Sequence, residues 1–321
     1  MKTILKVGVV GTGNMGRNHL RVLSTMAEYE LVGCYDVSTE AAAAQAAIYG
    51  VEAFSTPEQL YAAVDVVHIV VPSSLHKEYA IAAAKAGCHV LVEKPIALNV
   101  EDAQAIIDVC NEAGVRLCVG HVERFNPAIV TLSEIIEHEE IVAIDFKRMS
   151  PFAGRISDAD VVEDLMIHDI DVLNSIATAP IKSVSAQGAK VYTDRLDYAQ
   201  ALVTYENGVV ASLTASRITE TKIRKAELNA KNAFVVVDYL NRTVEISRRT
   251  NITLDVGHPL RYSQESIVEK VFVPFNEPLR SEFEHFAHCI DTGEAVATSG
   301  EMGLQAVALC RLISETASAQ L

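Results

Sequence analysis

From Ile4 to Val10 the chain is an almost unbroken apolar run rich in β-branched residues, the pattern of a strand buried on both faces. Leu20, Leu23 and Ala27 then recur at helical spacing, with Arg17, Asn18 and Arg21 between them. A second strand over 31–35 completes a βαβ unit. The rhythm continues through an alanine-rich helix (41–47), a buried strand (64–71), a helix (76–86), a strand (89–92), a helix (100–113) and a strand (116–119). Such alternation predicts an α/β domain over residues 1–120, a doubly wound parallel sheet of the Rossmann kind.

Past residue 120 the pattern changes to long strands joined by turns, over 141–149, 181–191, 199–205, 209–215, 225–230 and 233–238. Glu206-Asn207-Gly208 is a hairpin turn, since Asn and Gly accept the backbone angles such turns demand. Helices are expected over 161–177, 280–291 and 302–318. Residues 121–321 therefore read as an α+β domain with a large, mostly antiparallel open sheet and its helices on one face.

Composition narrows the function classes. The 321 residues carry 27 Lys and Arg against 42 Asp and Glu, a formal net charge of −15. A polyanion is held by clustered cations that displace its counterions, and no such cluster occurs, so neither nucleic acid nor an anionic membrane surface is an expected partner. The apolar start runs into Gly11 too early for a secretion signal. Six cysteines without C-x-x-C spacing read as reduced core thiols of a cytoplasmic protein.

Gly11-Thr12-Gly13-Asn14-Met15-Gly16 fits G-x-G-x-x-G between a buried strand and an amphipathic helix, and Asp36 ends the next strand. Gly11 permits the tight turn, Gly13 lets backbone approach a pyrophosphate, and Gly16 lets the helix pack against the strand. The helix N-terminus offers unpaired N–H groups to phosphate. Asp36 accepts from ribose hydroxyls and repels a 2′-phosphate; no arginine follows in Val37-Ser38-Thr39, so NAD is expected rather than NADP. Val71-Pro72-Ser73 with His76, and Glu93-Lys94-Pro95, end two further strands at the same carboxyl edge, where ligands bind in open parallel sheets.

A second candidate lies on the helix over 161–177, where Asp164 and His168 stand four apart on one face. A carboxylate one turn from an imidazole fixes its tautomer and raises its basicity, as a general base for an alcohol proton requires. No metal is expected there, because His168, Asp169 and Asp171 lack further ligands in a strand-rich domain. His285 and His288 beside Cys289 lack a fourth ligand and read as structural.

Together, G-T-G-N-M-G at 11–16, V-P-S at 71–73, E-K-P at 93–95 and D-L-M-I-H at 164–168 resemble the glucose-fructose oxidoreductase, inositol dehydrogenase and MocA family over essentially the whole chain. The resemblance implies an NAD-binding Rossmann domain followed by a domain whose open sheet makes the contacts of a homodimer or homotetramer. It implies a cofactor site of Gly11, Thr12, Gly13, Asn14, Met15, Gly16, Asp36, Val71, Pro72, Ser73, His76, Glu93 and Lys94. Lys94, Asp164 and His168 become the catalytic candidates. Many members carry glycine where this chain has Met166.

A narrower likeness, in R-M-S-P-F at 148–152 and D-L-M-I-H-D-I-D at 164–171, is to members that oxidise the 3-hydroxyl of UDP-N-acetylglucosamine. Such a substrate is an anion, and Arg124, Arg148 and Arg155 are the candidate contacts, with Arg148 expected at the diphosphate. The alternatives are a dehydrogenase or reductase of a free sugar or inositol, and a non-catalytic NAD sensor.

Overall fold

A computed structural model of the chain describes residues 4–152, 159–254 and 262–321. The chain forms two compact units: Met1–Phe125 with Asn276–Ala308, and Asn126–Phe275 with Leu309–Leu321. The linear division expected at residue 120 differs from this by the return over 276–308. That return is driven by burial: Leu279, Phe283 and Phe286 of the helix Pro278–Thr292 join a core with Leu20, Leu23 and Tyr29. A contact between segments so far apart in sequence leaves no local signal in composition.

In the first unit, strands β1 (Leu5–Val10), β2 (Tyr29–Tyr35), β3 (Glu52–Ala53), β4 (Val66–Ile69), β5 (His89–Glu93) and β6 (Leu117–Gly120) form one sheet. Its order is β3-β2-β1-β4-β5-β6 and all its pairings are parallel. Chain order reverses between β1 and β4, the switch point at whose carboxyl edge ligands bind. The connecting helices are α1 (Asn14–Leu23), α2 (Thr39–Tyr49), α3 (Pro57–Tyr61), α4 (His76–Lys85) and α5 (Val100–Ala113). Ser38, Thr56 and Asn99 cap α2, α3 and α5 by accepting backbone N–H groups.

In the second unit, α6 (Pro127–Ile136) precedes β7 (Ile141–Met149), and a π-helical turn (Val162–Met166) leads into α7 (Ile167–Ile176). Strands β8 (Ile181–Ala189), β9 (Tyr198–Tyr205), β10 (Val210–Ser216), β11 (Ile223–Ala230), β12 (Ala233–Asp238), β13 (Thr243–Leu254) and β14 (Tyr262–Val271) follow. The eight-stranded order is β14-β13-β12-β11-β7-β10-β9-β8, antiparallel except where β7 meets β10. Ala201, Leu213, Phe146, Ala226 and Val237 lie in one row across five strands and are all buried. Side chains alternate along a strand, so neighbouring Asp145, Lys147, Ser212 and Glu227 point to the opposite face. The hairpin at Glu206-Asn207-Gly208 is present, with Gly208 at φ +88°.

Candidate functional site

The glycine loop joins β1 to α1. Gly11 has φ +96°, and a Cβ there would stand 2.3 Å from the Val70 carbonyl oxygen, so both the turn and the approach of β4 require glycine. A Cβ at Gly16 would meet the Gly11 carbonyl oxygen at 2.0 Å. Its small size thus serves closure of the loop on itself, rather than the expected packing of helix on strand. At Gly13 nothing lies within 4 Å, which leaves the backbone open to an incoming group. Gly13 is also the residue before α1, and no side chain caps that terminus or places an acid in its first turn. An uncapped N-terminus with an open approach suits a phosphate.

Asp36 follows β2 and turns back to the loop. Its Oδ2 accepts the Thr12 amide at 2.7 Å and the Thr12 hydroxyl at 2.9 Å, and Oδ1 accepts the Ser38 amide at 2.9 Å. Burial works to raise its pKa, but these bonds outweigh it and hold the carboxyl below its ordinary value. Loop and acid line one side of a pocket of about 210 Å³. Val70, Val71, Pro72, Leu75, Tyr35 and Tyr79 line the rest. Tyr35 and Tyr79, with ring centroids 6.4 Å apart, were not anticipated from sequence. Tyr35 precedes Asp36, but Tyr79 reaches the pocket only because α4 starts at the carboxyl edge of β4, which no motif encodes.

The V-P-S and E-K-P turns are tied by His76. Its Nδ1 lies 2.7 Å from the Pro95 carbonyl oxygen and its Nε2 3.0 Å from that of Val71. Buried between the Pro95 and Val71 carbonyls, His76 has its pKa lowered by burial, so as a neutral ring it donates to one of them and braces the two turns from within. Ser73 opens a short 3-10 turn between Pro72 and α4. Glu93 is likewise directed inward: Oε1 meets His19 Nε2 at 2.9 Å, and Oε2 accepts the Lys94 amide at 3.2 Å. Lys94 itself is half-buried at the carboxyl end of β5, as its position in sequence requires.

In the second unit, Asp164 belongs to the π-helical turn, where Ile167 N–H bonds the Val162 carbonyl, and His168 follows in α7. The expected regular helix is thus widened at the acid, a distortion often found at functional sites. Asp164 and His168 are half-buried, whereas Asp169 and Asp171 are buried. Asp169 pairs with Arg148 through both oxygens, at 2.9 Å to Nε and 2.7 Å to an Nη nitrogen. Arg148 is 2% exposed and lies 5.6 Å from the Tyr239 ring centroid. The Nε–Nη edge of its fork is spent on an internal tie between β7 and α7, a use other than the expected diphosphate contact. Arg124 sits in a 3-10 turn, Val122–Phe125, of the first unit, and Arg155 lies outside the described residues.

Among the described residues no three His, Cys, Asp or Glu side chains group as a metal site, and no helix is long and apolar enough to cross a membrane. Residues 5–121 match an oxidoreductase family with an NAD-binding Rossmann fold, and residues 146–236 match the GFO/IDH/MocA C-terminal domain. UDP-N-acetylglucosamine 3-dehydrogenase of Acidithiobacillus ferrooxidans is 33% identical over 95% of this chain and 94% of that protein. A solved structure of that dehydrogenase superposes with a TM-score of 0.90, covering 98% of both chains. Inositol 2-dehydrogenase of Rhizobium meliloti is 26% identical over 95% of this chain and 94% of its own length. The chain belongs to the GFO/IDH/MocA family of NAD-binding oxidoreductases.

Proposed function

We propose that this dehydrogenase oxidises the 3-hydroxyl of UDP-N-acetylglucosamine, with NAD as cofactor. The observation that carries the substrate is the 33% identity over 95% of the chain to a dehydrogenase of that name, against 26% to an inositol dehydrogenase. The cofactor fits the first unit on its own geometry. Gly13 leaves the phosphate approach open, the α1 terminus is uncapped, and Asp36 presents a charged carboxylate beside Val37-Ser38-Thr39, which holds no cation for a 2′-phosphate. Tyr35 and Tyr79 supply flat apolar walls for the adenine.

NAD, when bound, supplies the hydride acceptor. His168 takes the hydroxyl proton as the carbinol C–H leaves with its electron pair. Asp164, one turn before it, orients the imidazole ring. Lys94 donates to the oxygen, whose negative charge grows as the proton departs; a fixed cation there lowers the barrier. In the reverse direction His168 returns the proton to the ketone oxygen. Assembly through the open sheet is part of the proposal, supported by its solvent face, which exposes Leu202 on β9, Phe234 on β12 and Val268 on β14. A reducing cytoplasmic setting is supported by six buried cysteines, of which Cys34 and Cys88 are pushed by burial up to about 11.

The test is a panel of UDP-N-acetylglucosamine, free hexoses and inositols with NAD, following NADH absorbance and identifying the keto product. Preferential oxidation of the nucleotide sugar at C3 is expected. Turnover confined to free sugars or inositols overturns the substrate, and tight NAD binding without turnover of any panel member favours a sensor.

A further inference from the structure

Beneath the E-K-P turn lies a chain of buried imidazoles that the proposed chemistry does not use. His19, on α1, and His68, on β4, are both 0% exposed. His19 Nδ1 lies 3.0 Å from His68 Nδ1, and His19 Nε2 lies 2.9 Å from Glu93 Oε1. Phe283 covers both rings, its centroid 4.9 Å from His19 and 4.5 Å from His68. On its far side Glu93 is closed in by Gly120, where a Cβ would come within 3.0 Å of the carboxylate.

The protons in this chain have one consistent order. Burial raises the Glu93 pKa, but the hydrogen bond from His19, the charge of Lys94 and the Lys94 backbone amide outweigh it, so the group is held below its ordinary value. A carboxylate only accepts, so His19 Nε2 carries a proton. Burial holds His68 well below the ordinary imidazole value, and it is neutral with one N–H. Among the described residues His68 Nε2 has no hydrogen-bond partner. A proton there would be a buried donor without an acceptor, a rarer and costlier orphan than a bare lone pair. His68 therefore donates Nδ1–H to His19 Nδ1, His19 donates Nε2–H to Glu93 Oε1, and the Lys94 amide donates to Glu93 Oε2.

We infer that His19 is a positioning residue for hydride transfer: its Nε2–H fixes the carboxylate that holds the Lys94 backbone, and so aims the Lys94 ammonium. This rests on the alkoxide-binding role proposed for Lys94. His68 sets the His19 tautomer, so the aim of a lysine at the end of β5 is fixed from two other elements of the same unit.

The experiment uses full-length protein with His19→Leu, His19→Gln, Glu93→Gln and His19→Leu combined with Glu93→Gln. Leucine removes both nitrogens, and glutamine returns an amide N–H near the place of Nε2. We expect His19→Leu to lower kcat about 10- to 100-fold, the scale of a misplacement of about 1 Å. KM for NAD and for the sugar should stay within about threefold, since binding contacts remain. His19→Gln should recover most of kcat, and adding His19→Leu to Glu93→Gln should cost nothing further, because both act through one contact. A merely structural role would lower Tm without this kcat–KM split. Wild-type kcat in folded His19→Leu, no rescue by glutamine, or multiplying losses in the double variant would each overturn the inference.

Two measurements need no substrate. In protein reductively methylated with 13C, the Lys94 dimethylamine resonance, identified by its loss in Lys94→Arg, should move in His19→Leu and return in His19→Gln. An unmoved resonance refutes the positioning even if the sugar reading stands, whereas a moving resonance in a protein that oxidises no panel member refutes only the chemical role of Lys94. Should His19→Leu fail to fold, 15N-imidazole spectra of the wild type decide: His19 must be protonated at Nε2 alone, and a cationic or Nδ1–H ring overturns the inference.

Discussion

Thr12 grips one oxygen of Asp36 from two atoms, its amide at 2.7 Å and its hydroxyl at 2.9 Å, so the acid that ends β2 is part of the glycine loop. Burial resists ionisation, but the Thr12 and Ser38 bonds prevail, and Asp36 is charged at neutral pH. Asp36 lines the same pocket as Gly13. Asp36→Ala should therefore weaken NAD binding about 10- to 100-fold, the worth of hydrogen bonds to a charged group, while NADP loses less or gains. Titration calorimetry with both dinucleotides measures this. An unchanged NAD-to-NADP ratio would reduce Asp36 to a brace for the loop.

Lys94→Met tests the other end of the proposed chemistry. Removing a preorganised cation that acts on developing charge should cost about 100- to 1,000-fold in kcat, with the NAD dissociation constant within about threefold. Steady-state kinetics beside fluorescence titration of NADH separates the two. Equal losses would make Lys94 a cofactor contact only.

His168→Ala should lower kcat by about 100- to 10,000-fold, the usual contribution of a positioned general base. Asp164→Asn keeps the size of the orienting group but loses its charge, and a smaller loss is expected. Single-turnover measurement of NADH formation reads both without interference from product release. Near-wild-type kinetics in His168→Ala would send the search for the base elsewhere.

These sites differ in how far the sequence reveals them, and the difference is physical. The glycine loop is written in backbone requirements that recur locally: φ +96° at Gly11 admits little but glycine, and a Cβ at Gly16 would strike the loop itself. Strands of the parallel sheet are legible because burial on both faces imposes continuous apolar runs such as Val7–Val10. Two-residue β3 and five-residue α3 are too short to show a period. The missed α6 was readable in principle, since Asn126 caps it and Pro127 opens it. By contrast, the use of Arg148 is decided by Asp169, twenty-one positions away. A cation in a sequence does not announce whether its partner is a ligand or the protein. The same holds for His76 and Glu93, whose neighbours come from turns that only the sheet brings together.

The Arg148–Asp169 pair has side-chain exposures of 3% and 2%, which makes its removal one-sided in effect. Asp169→Asn removes the carboxylate that takes both ends of this buried fork and should cost about 3–5 kcal/mol. Arg148→Met takes the guanidinium from the buried carboxylate and should cost a similar amount, whereas the double replacement should restore much of the loss. Chemical denaturation monitored by circular dichroism compares the three. Additive losses in the double variant would mean the two side chains act independently.

Asp197 gives the second unit an acid-sensitive anchor. Its Oδ2 accepts three successive backbone N–H groups, from Val191 at 2.7 Å, Tyr192 at 2.6 Å and Thr193 at 2.9 Å. Oδ1 takes the Thr193 hydroxyl at 2.9 Å and Arg217 Nε at 2.7 Å. Burial alone would raise its pKa, but the bonds from Val191, Thr193, Tyr192 and Arg217 drive it far below the usual carboxylate value. A group whose folded pKa is depressed contributes stability that is full above the unfolded value, near 3.9, and is lost as pH falls toward the folded one. Wild type should therefore exceed Asp197→Asn in urea midpoint by its largest margin near pH 7, and that margin should shrink steadily below about pH 4. A margin that stays constant down to about pH 2 would show that shape, rather than charge, is what Asp197 contributes at the 191–193 turn.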